Sequence, residues 1–343
     1  MQIADTGRNV LVVDPEQHTA TRYAAGILFP RDETCAMGPL GQLNLAAMEL
    51  WDLWAQRLGE HLLHRRGLLQ VADDPASSET LDRWETIFGA HAQRVYRDTV
   101  RDLIADAAVT RVHAALLLPH VRSINPLDLL DALRFQARSV GVRQTVDAVT
   151  GVHVQAGKVA AVTLRDGGTV ACQTVIGAAG LGLSGWLPAG QRPQLVAQMG
   201  ERVIVRLPEP RTTPILGTPG GPLVPRATNE LWAGVTVREG DSSPVPTVGG
   251  GAHVLGNLVR WLPALAEARV IDLGAGLSPL SRDGLPYVGR TDIDGLWLAG
   301  GHGGDGILQS PLTAQLIAAS LDGPLNERSR ELLSYTSPSG RMH

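Results

Sequence analysis

The chain has 343 residues, 44% hydrophobic and 19% charged, enough to bury the core of one large domain or two interleaved ones. A formal charge of −4 gives no basic field for nucleic acid, and no apolar run is long enough to span a bilayer. Cys35 and Cys172 form no metal-spacing motif and read as reduced thiols, so the expectation is a soluble cytoplasmic protein without metal.

Residues 8–14, RNVLVVD, form a short apolar strand closed by an acid. In a dinucleotide-binding βαβ unit the second strand ends this way, and its acid bonds the ribose hydroxyls. Asp14 is either that acid or the plain end of a core strand. The Gly-x-Gly-x-x-Gly loop that lies about 20 residues upstream of such an acid has no room before Asp14. The preceding MQIADTG reads as the last turns of a helix stopped by Gly7. The expectation is that this start lies inside a longer natural chain. The other reading is a protein without the loop that binds its nucleotide poorly.

Residues 21–33, TRYAAGILFPRDE, carry the small run Ala24-Ala25-Gly26. Such residues let a flat ring lie against the backbone, or make a tight packing corner. From Leu43 to Leu63 the apolar spacing (Leu43, Ala46, Ala47, Leu50, Trp51, Trp54, Leu58, Leu62) is helical, with the tryptophans in the core. Residues 81–90 and 92–107 read as further helices, and 112–122 as an apolar strand. Asn125-Pro126 with Asp128 opens a helix over 127–140 that stops at Gly141. Residues 142–170 alternate apolar and polar, with turns at Ala156-Gly157 and Asp166-Gly167-Gly168, which predicts a β-meander. A strand over 174–176 then meets a second small-residue turn, Gly177-Ala178-Ala179-Gly180. Residues 190–273 are β-rich, with one helix at about 252–265. The segment after Gly323 is polar and expected to be mobile.

The most informative stretch is residues 276–311. A Pro/Gly-rich segment ends in Pro286-Tyr287-Val288-Gly289, and a turn follows at 292–295. The apolar strand 296–299 then runs into Gly300-Gly301-His302-Gly303-Gly304-Asp305-Gly306, and a helical pattern starts near Ile307. Strand, glycine loop and helix together let backbone N–H groups approach a ligand, with the helix N-terminus adding partial positive charge. The bland reading is a surface loop, but apolar elements hold both of its ends.

In this order, VLVVD, YAAGILFP, VIGAAG and GLSPLSRDGLPYVG followed by GLWLAGGHGGDGIL resemble the FAD-dependent amino-acid oxidases, the D-amino-acid-oxidase-like family, and within it the glycine oxidases most closely. The likeness runs from Ile3 to Gly323. It implies an α/β fold: a doubly wound, mostly parallel FAD-binding sheet, N-terminally truncated, with an interleaved α+β substrate domain on an antiparallel sheet. The FAD-binding parts would be residues 1–60, 122–190 and 274–325, the substrate domain 61–121 and 191–273, and the tail 326–343.

The resemblance further implies FAD contacts from Asp14, Ala24, Ala25, Gly26, Val146, Ala178, Ala179, Gly180, Gly289, Gly301, His302, Gly303, Gly304, Gly306 and Ile307. The loop N–H groups would stabilise negative charge on the flavin. Members oxidise the C–N bond of a small amine or amino-acid-like substrate to an imine, usually with oxygen as acceptor and hydrogen peroxide as product. A homo-oligomer is a further expectation. His302 either touches flavin or substrate, as the catalytic candidate, or braces its loop. Asp305 either meets a cationic substrate group or caps the following helix.

Three positions depart from the glycine-oxidase pattern. Ser278 stands where an arginine pairs with the substrate carboxylate, Gly304 where a second arginine sits, and Leu223 where a tyrosine is expected. A buried carboxylate without a cation is costly, which disfavours glycine unless Arg226 or Arg282 substitutes. The alternatives are a glycine oxidase of thiamine biosynthesis with a relocated clamp, and a degenerate flavin-fold scaffold without FAD.

Overall fold

The computed structural model describes residues 1–16, 20–30, 32, 34–226 and 229–342. Its first strand, β1 (Leu11–Val13), follows a single 3-10 turn that Gly7 closes in the left-handed region at φ 81°. Helix α1 (Gly38–Leu58) has proline in its first turn and buries the stripe Leu43, Ala46, Ala47, Trp51 and Trp54. Strand β2 (Leu68–Ala72) is buried on both faces apart from Gln70. Residues 92–107 do not form the expected helix. Gln93–Val95 is a strand paired to Ala114–Leu118, and only Arg97–Leu103 is helical. Sheet pairing overrides the local helical spacing there.

Helix α2 (Pro126–Ser139) starts as its sequence signals, with the Asn125 side chain accepting from the Leu127 N–H. Strand β3 (Arg143–Thr145) then pairs in parallel with β1. The expected meander therefore loses its first segment and consists of Val149–Gln155, Lys158–Leu164 and Thr169–Ala171. Next come β4 (Val175–Gly177), β5 (Leu195–Arg206), β6 (Leu223–Pro225), β7 (Glu230–Gly234), helix α3 (Val248–Trp261) and β8 (Arg269–Ser281). The chain ends with β9 (Tyr287–Arg290), β10 (Leu296–Gly300), α4 (Gly306–Asp322) and α5 (Glu327–Thr336).

Strand β10 pairs in parallel with β4 and antiparallel with β9. Helices α1 and α4 pack on this small sheet, and Trp51, Leu308, Leu312, Leu316, Val288 and Trp297 share one core. A nine-stranded mixed sheet contains β2 and β5 to β8. Its second core joins Val203, Val205 and Leu231 to Leu258 and Trp261 of α3.

The Pro/Gly-rich segment expected at 276–281 is the end of a strand. Strand β8 pairs with β5 from Arg269↔Arg206 to Ser281↔Leu195. Pro279 is tolerated because β8 is an edge strand whose other side needs no donor. Residue 274, an expected domain boundary, lies inside this strand. The expected mobile tail instead folds back as α5, and Thr336 Oγ1 donates to the Val288 carbonyl at 3.0 Å in a buried contact. Among the described residues, no helix is long and apolar enough to cross a membrane.

Candidate active site

The glycine loop leaves β10 at Gly300 and reaches α4 through the 3-10 turn Gly303–Asp305. It is fastened to the end of β8: Leu280 and His302 form an antiparallel bridge, and the Ser281 N–H donates to the Gly301 carbonyl at 3.3 Å. Gly301 (φ 77°) and Gly303 (φ 56°) are required twice over. Each adopts left-handed backbone, and a Cβ would come within 3.2 Å of Leu195 and Tyr287 at 301, and 2.9 Å of Leu280 at 303. These two glycines fit the loop to its own protein. Gly304 is exposed, and Gly306 lies beside His302.

His302 Nε2 lies 2.9 Å from Thr313 Oγ1 on α4. Burial pushes the imidazole down to about pKa 4, so it is neutral at ordinary pH. A group so far below neutrality is a poor general base and serves better as a positioned hydrogen-bonding group. Its ring lines a cavity of about 320 Å³ with Ile176, Ala178, Ala299, Gly306 and Thr313.

Asp305 makes no side-chain cap to α4, which overturns that expectation. Its carboxylate is 2% exposed and accepts from Asn44 Nδ2 at 3.3 Å, inside the α1–α4 interface. Asn44 also donates to the Cys35 carbonyl at 2.8 Å and accepts from Gln309 Nε2 at 2.6 Å. The sequence reading missed Asn44 and Gln309. Polar residues on otherwise apolar helix faces were the available signal.

The remaining cofactor candidates are dispersed. Asp14 ends β1, with its N–H on the Thr145 carbonyl and its Oδ1 accepting from the Glu16 N–H at 2.8 Å. Its half-buried carboxylate thus stands at the carboxyl end of a parallel pair, where such sheets bind ligands. Val146, just beyond β3, is 70% exposed. Ala178, Ala179 and Gly180 follow β4, and Ala178 reaches the His302 cavity. Gly26 resolves to a packing corner: a Cβ there would lie 1.8 Å from the Ile124 carbonyl oxygen. At Gly289 a Cβ would lie 3.3 Å from Pro338, and the residue lines a separate cleft with Trp297 and Arg330, so it stands apart from the His302 cavity. Arg31 and Glu33 lie outside the described residues.

A second group forms on the large sheet. Gln198, Gly200 and Arg202 of β5 face Ser278, Gly276 and Gly274 of β8 in register, so all six share one face. Tyr23 covers the two β8 glycines, where a Cβ would lie 2.7 Å from its ring at 274 and 2.7 Å from its own Cβ at 276. Arg202 stacks 5.1 Å from the Tyr23 ring centre and donates Nη2 to Asp272 at 2.6 Å. Arg226 donates to Asn125 Oδ1 and to the Ala24 carbonyl, the latter at 3.3 Å. Burial, with Arg202 close by, pushes Arg226 down to about pKa 10. Arg282 is exposed beyond β8, and Leu223 is buried in the second core. Arg202 was not read from sequence, although adjacent charges inside an apolar strand, Glu201-Arg202, marked the place.

The residues around the loop fit a flavin nucleotide. The first turn of α4 has no side-chain cap, leaving its N–H end for a ligand. The small residues Ala178 and Gly306 open space beside it, and Asp14 offers a carboxylate suited to ribose hydroxyls.

Comparison with known proteins agrees. Residues 1–320 match the family described as DAO, FAD dependent oxidoreductase. The glycine oxidase of Geobacillus kaustophilus is 28% identical over 314 residues, covering 87% of this chain and 82% of that protein. The bifunctional protein ThiO/ThiG of Synechocystis sp. is 30% identical over 338 residues, covering 93% of this chain but 48% of that protein, so this chain spans about half of it. The crystal structure of the Geobacillus kaustophilus glycine oxidase superposes with a TM-score of 0.88 at 25% identity, covering 100% of this chain and 95% of that one.

Proposed function

Because the chain belongs to the DAO family of FAD-dependent oxidoreductases, we propose that it oxidises the C–N bond of an amine or modified amino acid to an imine, which water then hydrolyses. FAD, when bound, supplies the acceptor for the hydride leaving the carbon, with oxygen as the final acceptor and hydrogen peroxide as product. In this reading Asp14, Ala178, Ala179, Gly180 and the loop from Gly301 to Ile307 hold the cofactor. Ala24 and Ala25 lie along its ring, and the sheet face carrying Ser278, Arg202 and Arg226 receives substrate. His302 holds its loop to α4 through Thr313 and offers one neutral hydrogen-bonding nitrogen.

The observation that carries this reading is the family match over residues 1–320, joined to a strand–loop–helix with an uncapped helix start. Ser278 favours an amine other than glycine. The glycine-oxidase pattern places an arginine there to pair with the small substrate's carboxylate, and serine supplies no charge.

The test is a purification in the presence of FAD, followed by a peroxide-release screen over amines and amino acids. Flavin absorption that co-purifies and is bleached anaerobically by an amine is the expected result. A colourless chain that refuses added FAD removes the reading. Robust glycine turnover removes the substrate argument alone.

A further inference from the structure

We propose that Arg202 and Arg226 form an anion-binding site that holds a carboxylate of the amine substrate, displaced along the sheet from the Ser278 position. The assignment deepens the amine-oxidation reading and rests on it for the identity of the ligand's other end.

Both guanidinium groups are buried, at 5% exposure for the Arg202 side chain and 7% for Arg226. Both are also incompletely satisfied. Arg202 Nε, Arg202 Nη1 and Arg226 Nε have no hydrogen-bond partner among the described residues. Unmade bonds on a buried cation are expensive, and structures rarely keep them without a partner to come. The two side chains converge on one segment, since Arg202 lies on the Tyr23 ring and Arg226 bonds the next residue's carbonyl.

The local charge is unbalanced in the same sense. Asp272 occupies one nitrogen of Arg202 but is itself 51% exposed. No carboxylate among the described residues lies within ion-pair distance of Arg226. In direct contact, two buried cations therefore face one half-exposed anion, with Glu230 and Asp128 acting on Arg226 only through space. A carboxylate would supply the missing charge and accept from the open guanidinium edges, the geometry arginine favours.

The position is informative. Arg202 is in register with Gly274, four residues along β8 from Ser278. At roughly 3.3 Å per residue, the site lies about 13 Å along the strand from Ser278. Gly276 and Gly274 carry no side chain on that face, and Tyr23 packs over both.

The probes are propionate and its neutral isostere propionamide, titrated into the FAD-supplemented full chain by calorimetry. Binding does not depend on turnover, so a protein that oxidises no amine would sink the amine reading while the site is still decided. Propionate is expected to bind at least about tenfold more tightly than propionamide, the scale of a charge-assisted pair. Arg202→Met should abolish that preference and leave propionamide unchanged, and Arg202→Lys should restore part of it. Asp272→Asn removes the competing carboxylate at a half-exposed position and should tighten propionate. It decides the matter if Arg202→Met does not fold, because a merely structural arginine would not gain affinity. No detectable propionate binding, equal binding of the two probes, or a propionate affinity indifferent to both Arg202→Met and Asp272→Asn overturns the proposal.

Discussion

His302 Nε2 is held 2.9 Å from Thr313 Oγ1, tying the loop histidine to the helix that follows it. The folded imidazole titrates near 4, below its ordinary 6.5. On acidification the unfolded chain therefore takes up this proton first. The stability linked to this group is complete above pH 6.5 and is lost as pH falls toward 4. Melting temperatures recorded from pH 8 to 4 should show that loss in the wild type and a smaller one in His302→Gln. Equal slopes would refute the assignment.

Ser278 occupies the register position opposite Gln198 on the face that carries Arg202. Ser278→Arg is expected to raise kcat/KM for glycine by about tenfold or more, since a charge-assisted pair contributes about 1.5–3 kcal/mol. Steady-state peroxide release on glycine checks it, and an unchanged value would show that this face does not meet the substrate.

Glu201, fully buried, is anchored at the start of α3. Burial alone would raise its pKa, but hydrogen bonds from Thr236, the Thr247 N–H and hydroxyl, and Arg238 outweigh it and hold the carboxyl at about 2. Its contribution is present above pH 4.5 and lost as pH falls through about 2. Gly250→Ala would ordinarily help a helix by about 1 kcal/mol. Here the new Cβ would lie 1.7 Å from Glu201 Oε2, so overpacking should win and cost about 2 kcal/mol net. Urea unfolding gives the sign, and a stabilised variant would contradict the packing.

Asn44 joins Cys35, Asp305 and Gln309 across the α1–α4 interface. Asn44→Leu keeps the volume and strands those partners, so a loss of about 2–3 kcal/mol is expected. Chemical denaturation measures it. A loss below about 0.5 kcal/mol would mean that the network is replaceable.

Much of this fold is legible locally. The Asn125 cap, the α1 stripe and the β10–loop–α4 sequence are written within a few residues of where they act. What escaped depends on distant partners. Residues 276–281 look like loop until β5 supplies their ladder. Gly301 and Gly303 suggest a ligand, yet Leu195, Tyr287 and Leu280 are what would meet a side chain there. Asp305 looks like a cap because Asn44, its buried partner, is 261 residues away. Arg202 reads as one of many arginines until Tyr23 folds onto it.

Strand β8 has 13 residues and ends where Leu280 bridges to His302. Past the register shift at Ile271 side chains alternate along it, so inserting or deleting one residue after Asp272 would turn every later position to the opposite face and drag the His302 bridge out of step. Exchange at 278 therefore leaves this ladder intact and a change of length past 272 does not, while at 274 and 276 Tyr23 leaves no room for a side chain.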